Sequence, residues 1–118
     1  MGDRRGSTRI RVKLHVGYRS DSAMLEGWVE NLSSNGLFIR TEVLGVEGQR
    51  VRLKLSLPDE PTPIFVDGEV ARIVTEPPHT GMGIRILDAS RLERRRLANF
   101  MIERHHEAHL EAAYTEPA

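Results

Sequence analysis

Two polar stretches of this chain carry residue types able to hold a ligand with both phosphate and guanine groups. The first, Arg5-Gly6-Ser7-Thr8-Arg9, sets two guanidiniums four positions apart, on one side of an extended chain, with Arg4 beside them. A planar guanidinium pairs with phosphate oxygens through two parallel hydrogen bonds. The same fork matches O6 and N7 of guanine, and its face stacks on a purine. The second stretch is Asn31-Leu32-Ser33-Ser34-Asn35-Gly36. Asn31 carries an acceptor and two donors, suited to a base edge. Ser33 can bond a phosphate or cap the turn, and Gly36 permits either a positive φ or a close backbone approach. Taken separately, each stretch also has a plain reading. One is a solvated basic tail, the other a polar turn closed by its own side chains.

Other candidates are thinner. His105 and His109 share a helical face with His106 beside them, a spacing that can bind metal. No third ligand has clear spacing, and cations near a helix C-terminus have an electrostatic reason of their own. Arg94-Arg95-Arg96 reads as a solvated helix face balanced by Glu93 and Glu103. Trp28 falls opposite Leu25 and Val29, either exposed or beneath the helix. No spacing joins Ser33, His79 and Asp88 into a triad, and no glycine loop opens a helix to cradle phosphate. No metal site and no enzyme is expected.

The elements that must position these residues are mostly strands. Ile10, Val12, Leu14, Val16 and Tyr18 alternate with Arg11, Lys13, His15 and Arg19, the period of a half-buried strand. A second strand follows the Asp21-Ser22 turn through Leu25, Gly27 and Val29. Leu37-Phe38-Ile39 reads as a short, more buried strand. Val51, Leu53, Leu55 and Leu57 make a fourth, Phe65 to Val74 a fifth with a bend at Gly68, and Met82 to Ile86 a sixth. After Asp88 the period changes to that of a helix, opened by a capping box at Ser90 and Glu93. Leu97, Phe100, Met101 and Ala108 form its apolar stripe. Short connections favour antiparallel neighbours. The expected fold is mainly β: one domain with a mobile lead-in over residues 1–8, a six-stranded antiparallel barrel over 9–88 and a helix over 90–113.

With 118 residues, 39% apolar and 29% charged, the composition is that of one globular domain. Lys plus Arg and Asp plus Glu number 17 each, so any positive potential is local and broad nucleic-acid binding is disfavoured. There is no cysteine for a disulfide framework. No apolar run follows the start as in a secretory signal, and none is long enough to span a bilayer. The expectation is a cytoplasmic protein without membrane insertion.

In this order and strand context, the motifs resemble the PilZ domain family. Arg5-xxx-Arg9 precedes the first alternating strand, and Asn31-x-Ser33-xx-Gly36 follows the second. Gly81-Met82-Gly83-Ile84-Arg85-Ile86-Leu87-Asp88 looks like the family's final strand before its helix. Family members with both motifs are receptors for the bacterial second messenger cyclic di-GMP, and their fold is a six-stranded barrel with a C-terminal helix. By that resemblance, Arg5 and Arg9 grip guanine and phosphate, with Asn31, Ser33 and Gly36 as the facing wall. The family often has Asp where this chain has Asn31. Arg4 would be an extra contact for an intercalated ligand dimer. The implied function is a non-enzymatic receptor that orders its N-terminal segment on the ligand and signals to an unidentified protein. Rival readings are a ligand-independent adaptor and a nucleic-acid-binding barrel using Arg50, Arg52 and Lys54.

Overall fold

The computed structural model describes residues 9–20 and 23–114, with side chains over 9–19 and 24–104. Six strands run in order: β1 (Ile10–Ser20), β2 (Ala23–Leu32), β3 (Gly36–Arg40), β4 (Arg50–Ser56), β5 (Ile64–Val74) and β6 (Gly81–Asp88), followed by α1 (Arg91–Tyr114). Every pairing is antiparallel, and the strands close into a barrel in the order β1-β2-β3-β6-β5-β4. Four of the six seams join consecutive strands; β3–β6 and β1–β4 complete the ring. The six-stranded antiparallel β-barrel and C-terminal helix expected from periodicity are therefore present.

Alternation decides which side chains point inward. In β4, Val51, Leu53 and Leu55 are buried while Arg50, Arg52, Lys54 and Ser56 are exposed. Leu14, Val16, Val29, Leu37, Ile39 and Ile64 from the other strands join them in one core. Burying one such aliphatic side chain contributes about 1.5–3 kcal/mol, so the core outweighs any surface ion pair in holding the ring. β3 is buried from Gly36 to Ile39 because its outward residue Phe38 is itself covered. The Arg72 guanidinium lies 5.8 Å from that ring's centre. The bend expected at Gly68 is a register shift between Asp67 and Gly68 in the β5–β6 ladder.

α1 starts as its sequence predicts: the Glu93 N–H donates to Ser90 Oγ at 3.1 Å. The Glu93 Oε1 atom takes no hydrogen bond and lies 3.8 Å from Arg96 Nη1. Leu97 enters the core, with Phe100 and Met101 packed against it. Arg96 is not part of a solvated face. It reaches the β4–β5 connection, donating to Pro63 O (3.1 Å), to Glu60 Oε1 (2.7 Å) and to Thr62 O. Its side chain is only 18% exposed, so it ties the helix to the barrel.

One phenol sits inside the ring. Tyr18 is fully buried; its hydroxyl donates to Val43 O (3.1 Å) and shares a 2.9 Å hydrogen bond with Thr41 Oγ1. Burial pushes its pKa above the ordinary 10.0, and the Thr41 bond partly opposes this. The folded chain therefore keeps this proton at a pH where the unfolded chain releases it. The stability this group contributes is complete below about pH 10 and declines as pH rises further. Urea unfolding across that range should show a steeper alkaline loss for the native sequence than for Tyr18→Phe. At neutral pH the substitution should cost about 1 kcal/mol. Parallel alkaline profiles would contradict the assignment.

Candidate functional site

The β1–β2 ladder pairs Ile10 with Leu32, so the residue before β1 must stand beside the residues that close β2. Arg9 accordingly donates through Nη1 to Asn31 Oδ1. Asn31 adjoins a register shift in both of its ladders, between Arg11 and Leu14 on one side and between Val29 and Asn31 on the other. Bulges of this kind re-aim side chains at a barrel rim. Here the re-aimed group is the amide that orients Arg9.

Of the two roles open to Ser33, the structure places it in the turn. It is 2% exposed. Its Oγ donates to Gly36 O (3.2 Å) and accepts from the N–H groups of Asn35 (3.2 Å) and Gly36 (3.1 Å). The Ser33 N–H also donates to Gly36 O at 2.8 Å. The hydroxyl thus shapes the bend. Gly36 serves close approach and not a positive φ: a Cβ there would lie 2.5 Å from Ile84 O on β6. The Ile86 N–H donates to Asn35 O at 2.9 Å, which ties the bend to the same strand.

These elements enclose an open groove of about 250 Å³. Its lining includes Arg9, Ser33, Asn35 and Gly36 together with Phe38, Arg72, Gly83 and Arg85. Three guanidiniums therefore border one small concavity. Arg72 lies over Gly83, where an added Cβ would come within 3.1 Å of its Cγ. Arg85 Nη2 holds Glu69 Oε1 at 2.6 Å. An anionic ligand with planar rings meets here both charge and stackable faces. Sequence reasoning did not single out Arg72 or Arg85 as site residues. Each is an outward arginine within a strand, and only the ring order β3-β6-β5 brings them to the bend.

Arg4 and Arg5 lie outside the described residues, as do the side chains of His105, His106 and His109. Among the described residues no group of three or more His, Asp or Glu is placed to hold a metal ion. No described helix is long and apolar enough to cross a membrane. Trp28 is 45% exposed. Lys13 Nζ lies 5.1 Å from its ring centre and His15 meets it edge-on at 5.5 Å.

Solved structures share this architecture. YcgR of Escherichia coli in complex with c-di-GMP matches with a TM-score of 0.78 and 21% identity, over 96% of this chain and 51% of that one. The inhibitor of motility MotI/DgrA of Bacillus subtilis matches with a TM-score of 0.74 and 22% identity, over 88% of this chain and 52% of that one. The isolated PilZ domain of E. coli YcgR with c-di-GMP gives 0.69 and 19%, over 93% and 98% of the two chains. This chain thus spans about half the length of the two longer proteins. No curated protein matches it in sequence. The PilZ domain model matches residues 3–103, the whole barrel and the first half of α1 included, and the chain belongs to the PilZ domain family.

Proposed function

We propose that this chain is a cyclic di-GMP receptor whose ligand lies in the groove between the Asn31–Gly36 bend and the outer face of β5 and β6. One observation carries the reading. Arg9 is hydrogen-bonded to Asn31 at the mouth of a groove that also holds Arg72 and Arg85. In this reading Arg9 grips phosphate and guanine, with Asn31 setting its direction. Arg72 supplies a further cation, and Ser33 and Gly36 keep the wall in place. Arg5 takes the second gripping position and Arg4 an additional contact, by their place in the family motif. The bound dinucleotide then orders the N-terminal segment across the groove, and the changed surface alters contact with a partner protein. No step of chemistry on the ligand is involved; the chain acts as a receptor and adaptor.

Titration calorimetry with cyclic di-GMP tests the site. Arg9→Ala and Arg5→Ala should each weaken binding by about ten- to a hundredfold, the worth of a charged hydrogen bond. Arg72→Ala should weaken it by about tenfold. Binding unaltered by all three would reject the groove. A native chain that neither binds cyclic di-GMP nor gains thermal stability from it would favour the ligand-independent adaptor.

The bend makes a separate prediction about stability. Gly36→Ala drives a methyl group into a backbone oxygen, and Ser33→Ala removes the partner of two backbone N–H groups. Each should lower stability by about 1–3 kcal/mol, read from urea unfolding without ligand. An unchanged midpoint for Ser33→Ala would show that its hydroxyl is not needed to hold the bend.

A further inference from the structure

β1 and β4 are neighbours in the ring, and neither contains an acidic residue. Their exposed positions include Lys13, Arg19, Arg50, Arg52 and Lys54. In a chain with 17 basic and 17 acidic residues, this is a strong local separation of charge. The ladder sets Arg19 directly opposite Arg52. Like charges facing across a strand pair weaken a sheet. Asp67 relieves Arg52 only from the far side, at 3.5 Å. A pairing that works against the fold marks a surface shaped by something else.

Exposed aromatic rings border this cationic ribbon on both sides. Trp28 on β2 is 45% exposed and Phe65 on β5 is 39% exposed. Each ring already has a ribbon cation near it, Lys13 at 5.1 Å from Trp28 and Arg52 at 5.8 Å from Phe65. Between them, Gly17 leaves the sheet bare; a Cβ there would meet only Leu25 O, at 3.9 Å. Tryptophan and arginine around a shallow centre are the composition of a protein–protein hot spot.

Carboxylates then set the width. Glu26 and Glu30 stand on β2, and Asp67 and Glu69 on β5, one strand beyond the ribbon on either side. Three strand spacings put these two acidic rows about 14 Å apart. A duplex, with a phosphate charge about every 1.7 Å of its axis, would press against both rows. A single acidic segment of a protein fits between them.

We propose that the outer face of β1 and β4 docks a partner protein through a narrow acidic segment with apolar side chains at its edges. Its carboxylates meet Arg19, Arg52 and Lys54, and its apolar groups meet Trp28 and Phe65. This rests on the partner-signalling half of the proposed function and not on the ligand half. Trp28 is the one tryptophan of the chain, so the surface carries its own fluorescent reporter. The probe is a synthetic peptide rich in glutamate and leucine and free of aromatic residues. An oligonucleotide of equal charge serves as comparator, and both are titrated without cyclic di-GMP. The peptide should shift Trp28 emission and bind more tightly than the oligonucleotide. The double variant Arg52→Glu, Lys54→Glu should lose about tenfold in peptide affinity while keeping its urea midpoint. Absence of peptide binding, equal binding by the variant, or tighter binding of the oligonucleotide would each overturn the proposal. Cyclic di-GMP titrated into the same double variant should bind as it does to the native chain. If it binds neither, the receptor reading fails alone and the peptide result stands.

Discussion

The register of one hairpin governs the site. Because β1 and β2 run antiparallel with Ile10 opposite Leu32, the chain entering the barrel passes the bend where β2 leaves it. Arg9 has no other place to go than the side of Asn31. A slip of one residue would turn every side chain of β1 to the opposite face and bury its arginines. The core forbids that slip, since Leu14, Val16 and Tyr18 are fully enclosed. Packing inside the ring thus fixes the direction of a cation outside it. The same logic holds at the β3–β6 seam, where Gly36 lets the two backbones approach and carries the bend against β6.

Much of this was legible before any coordinates. Strict alternation in β1 and β4 told inward from outward, and the change of period after Asp88 marked the helix. The order of the Arg9 and Asn31–Gly36 motifs around the first two strands fits their meeting where β1 enters the barrel and β2 leaves it, while Arg5 lies outside the described residues. The sequence did not reveal the ring order, because β3–β6 and β1–β4 join strands far apart in the chain. Arg72 and Arg85 were missed for that reason. The role of Ser33 was ambiguous because a hydroxyl that caps a turn and one that binds phosphate need the same residue in the same place. Only its burial and its bonds to Asn35 and Gly36 separate the two. Arg96 was misjudged for a related cause. A charged helical residue is solvated by default, and the connection it grips lies 33 residues away.

A neutral chain does not imply a neutral surface. Basic residues gather at the groove, on the outer face of β1 and β4, and along α1. The acidic ones sit largely on neighbouring strands, in loops and on the helix. β1 belongs to both regions: Arg9 precedes it at the groove and Arg19 stands near its other end. At about 3.3 Å per residue, ten residues of strand carry a path of about 33 Å from one region to the other. A single strand therefore borders both the groove and the outer face of β1 and β4.

The closed ring has one more consequence. An open sheet can recruit other chains by lending them a strand edge, with main-chain bonds that any sequence can make. Among the described residues the barrel offers no such edge. Recognition on its flanks must then be written in side chains, at outward positions whose replacement leaves the interior untouched. Such a scaffold can exchange one client for another by a few surface substitutions, while the rim that carries the groove stays as it is.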